Sequence, residues 1–161
     1  MSRHGYERER DLANERRIAK TLAERYGVMV TKLSAANYKL DWVVWDVQTK
    51  FPGMVGHLRA FAELKCRNTT RNQYKYYMLS LAKWERLLDM SEKHDKPSLL
   101  YVEFTDGLYY LPVTNGYVLA MGERKPNRDE YDLEPMAFVL SSGFLPVEKA
   151  AIHGSRETTS A

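Results

Sequence analysis

Residues 57–66 read HLRAFAELKC, and this stretch decides the fold, because it is interpreted as a strand that carries charges among apolar residues. Side chains alternate across a strand, so Glu63 and Lys65 share one face. Phe61 lies on that face as well, so the face is not simply the solvent side. A short turn region joins this strand to residues 40–47, LDWVVWDV, which predicts an antiparallel pair.

The elements on either side of this pair follow from hydrophobic spacing. Residues 6–26 have apolar positions at helical spacing and precede Gly27, a typical helix end. Further strands are predicted at 28–33, 98–104 and 108–113, a second helix at 79–94, and polar connections at 34–39 and 67–77. The order αβββαβ predicts an α/β domain with a central sheet.

The length of 161 residues predicts a single domain. Its proposed bounds are residues 1–148, with a core at about 7–113, a C-terminal extension at 117–148 and a disordered tail at 149–161. Within the extension, MAFVL (136–140) and GFLPV (143–147) are interpreted as a small hairpin.

Composition excludes few classes of protein. No run of about 18 apolar residues is present, so a membrane partner is not expected. Cys66 is the only cysteine, which rules out an intrachain disulfide and fits a reducing, cytoplasmic setting. The net charge of +3 permits a nucleic-acid partner without requiring one.

Two further carboxylates are predicted to meet the charged face. Glu15 lies three residues after Leu12 and four before Ala19, which places it on the apolar stripe of the first helix. An inward carboxylate is costly unless it is paired or faces a metal ion. Asp41 opens the second strand and lies near Glu63 if the register allows.

Such a cluster has a specific chemistry. Carboxylates that lie close together repel one another unless a cation sits between them. Carboxylate oxygens with open water positions suit Mg²⁺ or Mn²⁺. A nearby lysine orients a water or stabilises charge on a phosphate, so the set fits metal-assisted phosphodiester hydrolysis. Taken alone, Glu63 and Lys65 would favour a solvated ion pair. The addition of Asp41 and of the inward Glu15 makes a nuclease-type site the favoured interpretation.

Three segments together resemble the PD-(D/E)XK nuclease superfamily: ERRIAKTLAERYG (15–27), Asp41, and Glu63-Leu64-Lys65. The likeness is closest to archaeal-type Holliday junction resolvases and related phage nucleases. It implies a restriction-endonuclease-like fold with catalytic Glu15, Asp41, Glu63 and Lys65. It also implies that Glu15, Asp41 and Glu63, with the Leu64 carbonyl, hold the divalent metal. Leu40 departs from the family pattern, because many members have Pro before the Asp.

Basic and aromatic residues alternate in RNQYKYYM (71–78), just beyond the charged strand. They are suited to gripping phosphates and stacking on bases, although the tyrosines are equally suited to packing under the second helix. The predicted nucleic-acid contacts are Arg16, Arg67, Arg71, Gln73, Lys75 and Tyr76. Lys83 points either toward the site or into solvent, and solvent is the favoured interpretation.

These observations predict a Mg²⁺-dependent DNA endonuclease. A more specific hypothesis is a structure-specific enzyme, similar to Holliday junction resolvases, that acts in recombination or repair. The main alternative is a catalytically inactive DNA-binding or assembly protein on the same fold. RNA stays open as a substrate, because no residue recognisably reads a sugar 2′-hydroxyl. A homodimer is a further hypothesis, in which the C-terminal extension forms the contact between the two copies.

Overall fold

The structure is a computed structural model, and it describes residues 9–47, 52–123 and 133–148. The helices are α1 (Glu9–Tyr26), α2 (Ala35–Tyr38) and α3 (Leu81–His94). The strands are β1 (Met29–Lys32), β2 (Trp42–Asp46), β3 (His57–Cys66), β4 (Tyr76–Ser80), β5 (Ser98–Phe104), β6 (Gly107–Pro112), β7 (Val118–Glu123), β8 (Leu133–Leu140) and β9 (Leu145–Pro146). A 3-10 turn, Ser141–Gly143, precedes β9.

A six-stranded mixed sheet forms the centre of the fold, in the order β1-β2-β3-β5-β6-β9. Its strands pair antiparallel except for β3 and β5, which run parallel and are connected through α3. The predicted antiparallel pair of β2 and β3 is confirmed, with Trp42 opposite Ala62. The predicted restriction-endonuclease-like α/β fold is likewise confirmed by this sheet and the helices on its two faces.

The two faces of the sheet are covered by different helices. On one face, Ile18 and Leu22 of α1 pack against Ala62 and Leu64. On the other face, Trp84 and Leu87 of α3 belong to the core that contains Phe61. The division of β3 side chains predicted from strand alternation therefore holds, and Glu63 and Lys65 face α3.

A second sheet of three strands, in the order β4-β8-β7, corrects two predictions. The predicted polar connection at 67–77 runs into strand β4, whose Tyr77 and Leu79 alternate into the α3-side core with Ala137 and Val139. The predicted hairpin of 136–140 with 143–147 is wrong. Residues 136–140 pair with β4 and β7, while β9 pairs with β6.

Helix α1 ends where the sequence predicts. Gly27 follows it at φ +64°, a left-handed conformation that glycine adopts without the steric cost of a Cβ. The predicted polar connection at 34–39 includes the short helix α2. Residues 6–8 of the predicted first helix and the predicted tail at 149–161 lie outside the described residues. In the described ranges, no helix has both the length and the apolar character needed to cross a membrane.

Candidate functional site

The hairpin of β2 and β3 brings Asp41 and Glu63 together. Because Trp42 pairs with Ala62, the same register puts Asp41, one residue earlier, across from Glu63. Both side chains point to the α3 side of the sheet, where Glu63 is only 3% exposed. The structure therefore brings together two of the carboxylates that the sequence predicts to meet.

Lys83, near the start of α3, joins these two carboxylates. Its Nζ lies 2.6 Å from Asp41 Oδ2 and 2.8 Å from Glu63 Oε1. The favoured interpretation of Lys83 as solvent-exposed is therefore wrong, although its side chain keeps 39% exposure. Lys83 lies four residues before the buried Leu87, a spacing that puts both on one side of the helix. This spacing is the feature of the sequence that indicates an inward-facing Lys83.

Lys65 completes the cluster, and we call Asp41, Glu63, Lys65 and Lys83 the α3-side cluster. Lys65 Nζ lies 2.7 Å from Glu63 Oε1, the same oxygen that Lys83 contacts. Glu63 thus accepts a charge-assisted hydrogen bond from Lys83 and forms an ion pair with Lys65, and such contacts are stronger than those between neutral groups. Two negative and two positive charges balance within one partly buried site.

The charges in this cluster support one another. Burial would raise the pKa of Asp41, but the charge and the hydrogen bond of Lys83, together with smaller contributions from the other two members of the cluster, hold that pKa below its ordinary value. Burial would lower the pKa of Lys83, but the charges of Glu63 and Asp41 raise it instead. Asp41 is therefore ionised and Lys83 protonated at neutral pH.

Glu15 is buried on the opposite, α1 side of the sheet. Its Oε2 accepts hydrogen bonds from Lys32 Nζ at 3.0 Å and from Trp42 Nε1 at 2.9 Å. We call Glu15, Lys32 and Trp42 the α1-side cluster. Across residues 9–47, 52–123 and 133–148, no three Asp, Glu, His or Cys side chains are grouped closely enough to hold a metal ion. Glu15 is thus not seen in a three-carboxylate group with Asp41 and Glu63.

The predicted nucleic-acid residues divide into exposed and anchored side chains. Arg71 is anchored, since its guanidinium donates to the Phe144 carbonyl at 2.8 Å and lies 5.1 Å from the Tyr109 ring. Arg67 is exposed and lies 5.3 Å from the ring of the buried Tyr77. The other predicted contacts, Arg16, Gln73, Lys75 and Tyr76, are all exposed. Five of the six predicted contacts are thus exposed, and Arg71 is partly exposed with its guanidinium bound.

Tyr77 was not singled out from the sequence as a residue of the site. Its side chain is 6% exposed, and its hydroxyl has no hydrogen-bond partner among the described residues. Burial raises the pKa of Tyr77 to about 12, with Arg67, Glu63 and Lys83 as the charges that act on it. The α3-side cluster therefore has an unpaired polar group close by.

Comparison with known proteins identifies the family. The model of the family described as "Phage putative PDDEXK endonuclease" matches residues 1–147. The chain belongs to this PDDEXK family. No protein in the curated set matches the chain.

Two solved structures are similar to this PDDEXK chain. One is Hjc from Archaeoglobus fulgidus, a Holliday junction resolvase, with TM-score 0.53, 14% identity and coverage of 86% of this chain and 93% of that chain. The other is D212, a nuclease from a fusselovirus, with TM-score 0.49, 11% identity and coverage of 91% and 89%. The likeness to Hjc establishes a common fold for the two chains.

Glu63-Leu64-Lys65 has the acid-x-Lys spacing that the family name describes, and it lies in the α3-side cluster. The structure shows that a cation fits between Asp41 and Glu63, because one ammonium contacts an oxygen of each. Mg²⁺ commonly takes one or two protein carboxylates and completes its coordination with waters and substrate phosphates. The donor set therefore fits a divalent ion even without a third acidic ligand.

Proposed function

We propose that this protein is a DNA endonuclease that requires Mg²⁺ or Mn²⁺. The observation that carries the proposal is the position of one cation between Asp41 and Glu63, with Lys65 on the same carboxylate. Membership of the PDDEXK endonuclease family supports it. A buried, purely structural ion pair would not need two carboxylates side by side, because their repulsion opposes folding.

Asp41 and Glu63 would hold the ion, with the Leu64 carbonyl as a further ligand. When bound, such an ion lowers the pKa of a water and draws negative charge from the scissile phosphate. Lys65, beside Glu63, would orient the attacking water and stabilise charge on the phosphate. The low exposure of Glu63 limits competing water around the reacting groups.

For Glu15 we propose a positioning role in place of metal binding. Its carboxylate is already bound by Lys32 and by the indole of Trp42. Trp42 directly follows Asp41 in the chain, so a fixed indole on one face of the sheet fixes the backbone that carries Asp41 toward the other face.

The exposed cations are proposed to bind the DNA backbone. Arg16, Arg67 and Lys75 would contact phosphates, while Gln73 and Tyr76 would contact phosphate or base groups. Arg71 would act indirectly, by holding the turn at Phe144 through its carbonyl. Among DNA structures, the four-way junction is the first candidate, since the similar Archaeoglobus protein is a Holliday junction resolvase.

A cleavage panel tests this proposal. The substrates are duplex, single-stranded, flap and four-way junction DNA with matched RNA, each with Mg²⁺, Mn²⁺ or EDTA. We expect Mg²⁺- or Mn²⁺-dependent cutting of DNA that E63Q abolishes and that K93Q preserves. Lys93 is the matched control, because it lies on α3 and pairs with Asp89 on the helix surface.

Two other outcomes would replace or narrow this proposal. Binding of DNA without cutting, under every metal condition, would favour an inactive DNA-binding protein. Paired cuts at junctions, together with a dimer by analytical ultracentrifugation, would favour a resolvase acting as a homodimer in recombination or repair.

A further inference from the structure

Lys83 has a geometry that no role in the proposed mechanism requires. Lys65 already supplies the lysine of the acid-x-Lys sequence, yet the ammonium of Lys83 lies between the two carboxylates and contacts both. A divalent ion held by Asp41 and Glu63 would need the space and the carboxylate lone pairs that Lys83 Nζ uses.

We infer that Lys83 is an internal counter-ion that occupies the divalent cation position between Asp41 and Glu63, and that a metal ion binds there by displacing it. This inference rests on the proposed metal dependence. In the absence of metal, Lys83 offsets the repulsion between the carboxylates and keeps them aligned across β2 and β3. Lys83 therefore preserves the site and also competes with the ion that the site binds.

The displaced side chain of Lys83 has open solvent beside it. Lys83 is 39% exposed, whereas Glu63 is 4% exposed in its side chain, so the ammonium enters the site from the solvent side. A flexible lysine that leaves two carboxylates there stays within reach of whatever anion approaches the metal. In a nuclease that anion is the DNA phosphate, so displacement would change Lys83 from a partner of carboxylates into a partner of the substrate.

Calorimetric titration of Mn²⁺ into protein without DNA tests the competition. The variant K83Q removes the charge and shortens the side chain by one atom, so no ammonium lies between Asp41 and Glu63. We expect K83Q to bind Mn²⁺ about tenfold more tightly than the natural protein, because the ion no longer has to break two charge-assisted contacts.

Two matched variants separate occupancy of the site from a general effect of charge. K93Q removes the same charge from the same helix, where Lys93 pairs with Asp89, and should change the affinity less than twofold. K65Q removes a charge that contacts Glu63 alone and should tighten binding less than K83Q does. Unchanged affinity in K83Q, or equal tightening in K83Q and K65Q, would overturn the inference.

A second measurement uses the natural protein and so does not depend on the folding of a variant. Reductive methylation followed by mass spectrometry reports how accessible and how basic each lysine is. Saturating Mg²⁺ should increase the labelling of Lys83 at least severalfold and leave Lys93 unchanged. Metal that binds by calorimetry without raising the labelling of Lys83 would show that the ion binds elsewhere.

The inference and the proposed function fail in different ways. If the natural protein cuts DNA with Mg²⁺ but K83Q and the labelling show no competition, the nuclease proposal stands and the role of Lys83 falls. If metal displaces Lys83 yet no nucleic acid is cut, the competition stands and the nuclease proposal falls.

Discussion

Asp41 and Trp42 are neighbours in the chain, yet they belong to two charged clusters on opposite faces of one sheet. On the α1 side, Trp42 and Lys32 both donate to the single carboxylate of Glu15. On the α3 side, Asp41 and Glu63 face each other and share the ammonium of Lys83. Both clusters are largely buried, and they differ in how many carboxylates they contain.

That difference separates a structural role from a chemical one. One carboxylate with an ammonium and an indole N–H has donors enough to offset its burial, so it links α1 to the first two strands. Two ionised carboxylates side by side repel each other, so the folded protein needs a cation between them whether or not metal is bound. The α3-side cluster meets that need with lysine, and the same property suits it to a metal ion.

The largest expected effect compares D41N with E15Q in DNA cleavage. Each variant converts one buried carboxylate to an amide of the same shape, on opposite faces of the sheet. We expect D41N to lower the cleavage rate by about 10³-fold, because it removes a proposed metal ligand, while E15Q lowers it by no more than about tenfold. Single-turnover rates with Mg²⁺ measure both.

A loss in E15Q as large as that in D41N would show that Glu15 takes part in the chemistry. The direct or water-mediated metal contact implied by the family resemblance would then be correct. Circular dichroism of both variants is the control that separates lost catalysis from lost folding.

The next effect concerns the stability that the α1-side cluster provides. E15A leaves Lys32 and the indole of Trp42 without the acceptor that they share. The site is buried, since Glu15 is only 5% exposed. Breaking a buried pair in this way costs about 3 kcal/mol of unfolding free energy. Urea unfolding in EDTA measures it.

A double-mutant cycle sharpens this result. W42F alone removes the indole donor and should cost about 1.5 kcal/mol or more from the lost charge-assisted bond, together with a packing change. If the Glu15–Trp42 bond is the linkage, E15A and W42F together should cost less than their sum. Strict additivity would contradict a linkage between α1 and the start of β2.

Several of these features follow from the sequence because they depend on neighbours in the chain. Alternation along β3 places Glu63 and Lys65 on one face, and the short connection to β2 brings Asp41 opposite Glu63. The helical stripe of α1 also predicts that Glu15 points inward. It does not tell which face of the sheet Glu15 meets, since both faces are buried.

Other features depend on partners far along the chain. Strand β4 is recognisable only through β8, more than 50 residues later, because its sequence YYMLS has aromatic or apolar residues on both faces and so hides the alternation. Lys83 is brought to the carboxylates by the packing of α3, which that second sheet supports on the same side. Lysine at a helix surface is usually exposed, so composition favours the wrong interpretation.

The smallest expected effect at neutral pH comes from Tyr77, which marks a second contrast between the clusters. The α3 side buries a hydroxyl with no partner among the described residues, whereas Glu15 on the α1 side has two donors. The pKa of Tyr77 is raised from about 10 to about 12. Its contribution to stability is therefore complete below about pH 10 and is lost as the pH rises toward about 12.

Y77F should remove that alkaline dependence. Between about pH 10 and 12, the natural protein should lose about 1.4 kcal/mol of unfolding free energy per pH unit more than Y77F does. At pH 7 the two should differ by less than about 1 kcal/mol, because the hydroxyl that is removed has no partner to leave unpaired. Parallel pH profiles for the two proteins would mean that the pKa of Tyr77 is not raised in the folded protein, and the contrast between the two clusters would then rest on carboxylate number alone.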